Sequence, residues 1–119
     1  MVTWPRPELS PIVERYLADC FANSKRPSVS ALADSVGLSA SSFSNLFLAQ
    51  FGERPRDYLK RQQVERAKIL LGTTLDLAAV CAAAGFRTEV SLYWAFRRFV
   101  GMTPKQFRIS QKSTSPKAE

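Results

Sequence analysis

The sequence predicts an all-α fold: a seven-helix domain of two helix-turn-helix subdomains joined by a long linking helix. The main observation is an internal repeat, because residues 29–58 recur in character over 77–107. At an offset of 48, Val29, Leu32, Ala33, Val36, Gly37 and Leu38 meet Leu77, Val80, Cys81, Ala84, Gly85 and Phe86. After one inserted residue, Phe43, Leu46, Phe47, Phe51, Gly52, Pro55 and Tyr58 meet Leu92, Ala95, Phe96, Val100, Gly101, Pro104 and Phe107. A repeat of this kind fixes architecture before any single residue is interpreted. Two further observations agree with it. Apolar residues return at spacings of 3 and 4 throughout, and a capping residue and a glycine bracket each short segment.

The elements follow in order. Residues 1–9, with Trp4, Pro5 and Pro7, read as a stiff tail or linker stub. Ser10-Pro11 is expected to open the first helix, with Ser as cap and Pro at the first helical position. Its stripe is Leu9, Ile12, Val13, Tyr16, Leu17, Cys20 and Phe21, and Asn23-Ser24-Lys25-Arg26-Pro27 breaks it. Ser28 caps a second helix (about 29–36), which stops at Gly37, where a positive φ is commonly needed. Ser39 caps a third (about 40–51), completing a first subdomain over 10–53. Pro55 starts a linking helix to Leu71 inside a segment of 54–73, roughly 17–19 residues or about 25–28 Å. The second subdomain, 74–109, holds a fifth helix capped by Asp76 (77–84) and a sixth capped by Thr88 (89–100). Thr103-Pro104 opens a short seventh helix ending near Arg108, and the Ser-, Lys- and Pro-rich stretch 110–119 reads as a disordered tail.

Composition narrows the function. The chain has 119 residues, 45% of them hydrophobic, enough to bury a core. Net charge is +7, and it is lopsided: residues 1–53 carry 4 basic and 5 acidic side chains, whereas 54–119 carry 13 and 5. An electrostatic footprint for nucleic acid is therefore expected on the linking helix and the second repeat. There is no histidine, and Cys20 and Cys81 lie far apart on apolar helix faces. Those features argue for buried reduced thiols and against a metal site, a catalytic centre or a cofactor. No apolar run approaches the ~20 residues of a membrane span and the start is not a signal peptide, so the expected compartment is the cytosol.

The outward faces of the third and sixth helices suit DNA reading. With Phe43, Leu46, Phe47 and Phe51 turned to the core, Ser41, Ser44 and Asn45 point away. Asn suits a bidentate contact to adenine, and serines donate to bases or phosphates. On the sixth helix, Val90, Trp94 and Arg97 point out, with Glu89, Tyr93 and Arg98 at the flanks. Val90 and Trp94 suit thymine methyls, and Arg97 or Arg98 suits guanine or phosphate. Arg54, Arg56, Arg61, Arg87 and Lys105 lie at helix starts or on the linking helix, where phosphate clamping is expected. A rigid linking helix would let both reading helices enter successive major-groove segments, about 34 Å apart, on an asymmetric site.

The chain resembles the DNA-binding domain of AraC-type bacterial transcription regulators over about residues 9–109. The resemblance is carried by Leu32-Ala33, Gly37-Leu38-Ser39, Phe47, Phe51-Gly52, Tyr58-Leu59, Glu65-Arg66-Ala67, Leu70-Leu71, Gly85-Phe86, Phe96, Gly101-Met102-Thr103-Pro104 and Phe107-Arg108. It implies sequence-specific promoter binding, and most often activation through contact with RNA polymerase. It also implies base contacts from Ser41, Ser44 and Asn45 in the first unit and from Glu89, Val90, Ser91, Tyr93 and Trp94 in the second. An effector-binding or dimerisation domain, usual in such regulators, would lie outside this chain. The sequence departs from the family pattern at Gln63, where Arg is usual, so a customary anchoring contact is not carried over. It departs also at Cys81, where Ala is usual, and at Trp94, where a polar or basic residue is common. The alternative reading is a protein-interaction module of the same fold with weak, non-specific DNA binding, which the uncharged third helix and Trp94 favour.

Overall fold

The structure is a computed structural model that describes residues 8–113, with side chains through Gln111. Seven helices follow one another: α1 (Leu9–Ala22), α2 (Val29–Ser35), α3 (Ala40–Phe51), α4 (Pro55–Leu71), α5 (Leu77–Ala83), α6 (Glu89–Val100) and α7 (Pro104–Ser113). No strand occurs among the described residues. The caps expected at Ser28, Ser39, Asp76 and Thr88 are in place. Ser28, Ser39 and Asp76 each accept a backbone N–H three residues on, from Ala31, Ser42 and Ala79. Thr88 and Ser91 cap α6 reciprocally.

Two ends differ from the sequence reading. Helix α1 begins at Leu9, not after Ser10, with Glu8 as its N-cap and no side-chain cap bond. Instead the Leu9 N–H donates to Gln50 Oε1 at 2.9 Å, and the Leu9 side chain is fully buried. Tertiary packing thus sets the helix start, and Pro11 still falls in the first turn, where its missing N–H costs nothing. Helix α7 runs to Ser113 instead of stopping near Arg108, so residues 110–113 are helix and not tail. No Gly or Pro lies between Arg108 and Ser113, and the helix is well started: Thr103 Oγ1 accepts from Gln106 N–H while Gln106 Oε1 accepts from Thr103 N–H. The remaining parts of both expected tails, 1–7 and 114–119, lie outside the described residues.

Two cores form, one per unit, and α4 serves both. Leu59 packs with Leu9, Val13, Leu17, Leu32, Ala33, Phe43 and Phe47. Val64, Ala67 and Leu71, further along the same helix, pack with Val80, Cys81, Ala84, Phe86, Leu92, Ala95 and Phe96. Both cysteines are buried and free. Burial, and secondarily the charge of Glu89, push the Cys81 thiol above its ordinary value, which keeps it protonated and unreactive.

The seam between the units is close. Gln63, 2% exposed, donates through Nε2 to the carbonyls of Ala84 (3.2 Å) and Gly85 (2.9 Å). An amide here supplies the anchor that the sequence reading left open. Gly85 has φ +80, and a Cβ on it would lie 2.7 Å from the Lys25 carbonyl oxygen. The turn of the second unit therefore rests on the loop that precedes α2. Arg66 lies over Phe21 (5.8 Å), and Arg98 Nη2 pairs with Asp57 Oδ1 at 3.3 Å, two further ties across the seam.

Candidate nucleic-acid interface

Both helices expected to read DNA are held by their backs. In α3, Phe43 and Phe47 are fully buried; Phe51 stacks on Phe47 at 4.0 Å, and Tyr58 meets both rings edge-on. Four rings locked this way fix the rotation of α3 about its axis. Its other face carries Ser41 and Asn45, exposed, and Ser44, half-buried. In α6, Leu92 and Phe96 are fully buried and Ala95 nearly so, while Phe107 of α7 sets its ring edge against Phe96. Glu89 is exposed, and Val90 and Trp94 are 65% and 63% exposed.

The flanking residues of α6 are already engaged. Ser91 is half-buried, its hydroxyl donating to the Thr88 carbonyl at 2.8 Å and accepting from the Thr88 N–H at 3.3 Å. It anchors the helix start as well as standing at an expected base-reading position. Tyr93 sets its ring edge-on against Trp94 (5.1 Å between centroids), and its hydroxyl accepts from Arg97 Nη1 at 3.5 Å. Leu77, Val90, Trp94, Pro104 and Lys105 border a hollow of about 430 Å³ beside this helix.

The expected phosphate cations divide into two groups. Arg54, Arg56, Arg87, Arg97 and Lys105 are exposed, and none of them forms an ion pair among the described residues. Arg61 and Arg98 each have a carboxylate partner, Glu53 and Asp57 respectively. Arg61 also lies over the Tyr58 ring and Arg98 over that of Phe99.

A groove of about 740 Å³ joins part of this surface. The loop before α2 contributes Arg26 and Ser28, α3 contributes Ser44, Asn45 and Leu48, and the start of α4 contributes Arg54, Arg56 and Lys60. Burial, then the charges of Arg26 and Arg56, hold the Lys60 amine below the usual lysine value. The sequence reading missed Arg26 and Lys60. For Lys60 a signal existed, since Arg56, Lys60 and Gln63 stand at i, i+4 and i+7 and share one helix face.

Comparison with known proteins bears on this arrangement. The helix-turn-helix domain family matches residues 32–110, from α2 into α7. The arabinose operon regulatory protein of Escherichia coli K12 is 32% identical over 95 residues, which are 79% of this chain and 32% of that protein. The chain belongs to the AraC-type helix-turn-helix family. This is a family of DNA-binding transcription regulators and not an enzyme class. The HTH-type transcriptional regulator AlkR of Acinetobacter baylyi is 30% identical over 108 residues, 89% of this chain and 35% of its own. The chain thus spans about a third of the length of these relatives. Among solved structures, the DNA-binding domain of AdpA, in complex with a target DNA, matches with a TM-score of 0.80 and 27% identity, over 95% of this chain and all of that one. A protein from Listeria innocua matches with a TM-score of 0.76 and 27% identity, over 88% of this chain and 98% of that one. No helix among the described residues is long and apolar enough to cross a membrane, and no group of His, Cys, Asp and Glu there could hold a metal ion.

Proposed function

We propose that this domain binds double-stranded DNA sequence-specifically and activates transcription, with α3 and α6 in successive major-groove segments and RNA polymerase as a second partner. The observation that carries the reading is the pair of helices with immobilised backs and open outer faces, joined by one continuous α4. Major-groove insertion needs that arrangement. Ser41, Ser44 and Asn45 read through hydrogen bonds; in the second unit Glu89 and Ser91 contact bases through polar groups, whereas Val90, Tyr93 and Trp94 read mainly by shape and apolar contact. Arg54, Arg56, Arg87, Arg97 and Lys105 hold phosphates; Arg61 and Arg98 join them on exchanging a carboxylate for a phosphate. The AdpA match supports the reading, since that domain was solved on its target DNA.

Selection from random duplex DNA, followed by sequencing, tests the proposal. Two unlike submotifs about one helical turn apart are the expected result. Binding at low salt with no enrichment would overturn it and put a protein-interaction role in its place. Activation is checked separately by transcription from a promoter bearing the selected site.

A further inference from the structure

We infer that the groove at the seam is a phosphate-binding site in which Arg26 and Lys60, with Arg54 and Arg56, grip the DNA strand that runs between the two major-groove segments. The inference rests on the DNA-binding reading above and adds two residues and a location to it. Three observations carry it.

The first is charge. Four cations line one concavity and no carboxylate does. Arg26, Arg54 and Arg56 form no ion pair among the described residues, although the chain pairs Arg61, Lys68 and Arg98 with carboxylates elsewhere. Uncompensated like charges in a partly buried groove repel one another, and an anion relieves that repulsion.

The second is position. The same groove is lined by Ser44 and Asn45 of α3 and by Gln63, whose amide holds the turn of the second unit. Lys60 Nζ stands 5.4 Å from the Phe86 ring centroid, so this cation touches the second unit while opening towards the first. The lining comes from the first unit and α4, and the groove meets the second unit through Lys60 beside Phe86 and Gln63 on the Ala84 and Gly85 carbonyls. A backbone crossing from one reading helix to the other passes such a point.

The third is rigidity. Arg26 precedes the buried Pro27, and the Lys25 carbonyl abuts Gly85, so the loop bearing Arg26 is braced from both sides. Phosphates held there acquire a fixed register without any base being read.

The test uses the 119-residue chain and 30-base-pair duplexes. Arg26→Gln and Lys60→Gln are each expected to weaken binding to selected and random duplexes alike, roughly 3–10-fold at 0.1 M salt. Each should also lower the slope of log K against log salt by about 0.9. Replacing single phosphates between the two submotifs by neutral methylphosphonates should weaken the wild type by a similar factor, and the variants should lose that sensitivity. Unchanged salt slopes, or a loss confined to the selected site, would overturn the inference. Lys60→Gln also touches packing around Phe86, so a lowered melting temperature there shifts the decision to Arg26→Gln, whose side chain is exposed. If random selection finds no motif, sequence specificity fails as a reading; the salt slopes on random duplex still decide the groove.

Discussion

The two helix-turn-helix units share a backbone plan and differ in chemistry. Their paired glycines show how far the likeness goes. Gly37 and Gly85 both end the first helix of a unit with positive φ, +72 and +80. A Cβ at Gly37 would meet nothing within 4 Å, whereas one at Gly85 would press on Lys25 O. The first turn therefore needs glycine for its backbone angle alone, and the second needs it also for close approach to the other unit. The reading faces diverge as well: α3 offers hydroxyls and an amide, and α6 offers a carboxylate beside exposed valine and tryptophan. The repeat keeps the shape of one fold unit, while its two copies differ in the chemistry of their outward faces and in how closely their turns meet the other unit.

The largest effect should come from breaking the glycine asymmetry. Gly37→Ala is expected to cost about 1–2 kcal/mol, the strain of a left-handed residue. Gly85→Ala adds overpacking against backbone, for a total of about 2–5 kcal/mol. Chemical denaturation of the two variants checks this; equal losses would mean that the seam yields easily and that the units are not rigidly joined.

The reading helices should separate by the kind of DNA change they feel. Asn45→Ala is expected to lose about 1–3 kcal/mol on the best sequence and to relax base preference in one half of the site only. The partner experiment acts on the DNA. Replacing thymine by deoxyuridine in the half read by α6 removes a methyl and should weaken binding about 3–5-fold per methyl contacted, from roughly 0.8 kcal/mol of lost burial. In Trp94→Ala and Val90→Ala that penalty should shrink. A deoxyuridine penalty in the α3 half instead would reverse the assignment of polar and apolar reading.

Much of this was legible in the sequence, and for local reasons. Caps and glycines act within three or four residues, so the bounds of α3, α4 and α6 follow directly from Ser39, Gly52, Pro55, Thr88 and Gly101. The repeat gave the two cores, because Phe47 and Phe96 must face inward for the same pattern to close twice. What escaped was set by partners distant in sequence. The start of α1 depends on a bond from Leu9 to Gln50, 41 residues away. Helix α7 extends past Arg108 because nothing between Arg108 and Ser113 breaks the helix, polar though that stretch is. At the interface, the outer faces were readable from periodicity, but Arg26 joins the groove only because its loop folds onto the start of α4. Gln63, which the sequence marks only as a departure from the usual Arg, is a buried anchor, its amide donating to the Ala84 and Gly85 carbonyls.

The smallest expected effect concerns Arg98, which stands between the two regions. It pairs with Asp57 of α4 across the seam, and both side chains are well exposed, at 61% and 39%. An exposed pair of this kind contributes little, and Asp57 also lies in the first turn of α4, where a negative charge is mildly favourable. Asp57→Asn is therefore expected to lower stability by only about 0.5–1 kcal/mol. Its effect on DNA should have the opposite sign. With one acidic group removed and the guanidinium released, affinity for any duplex should rise a few-fold and the salt slope should steepen by about one unit. A rise of that kind would make Arg98 part of the phosphate surface of the second unit. If stability falls but salt slope and affinity stay as they were, Arg98 serves the seam alone and the cationic face of α6 ends at Arg97.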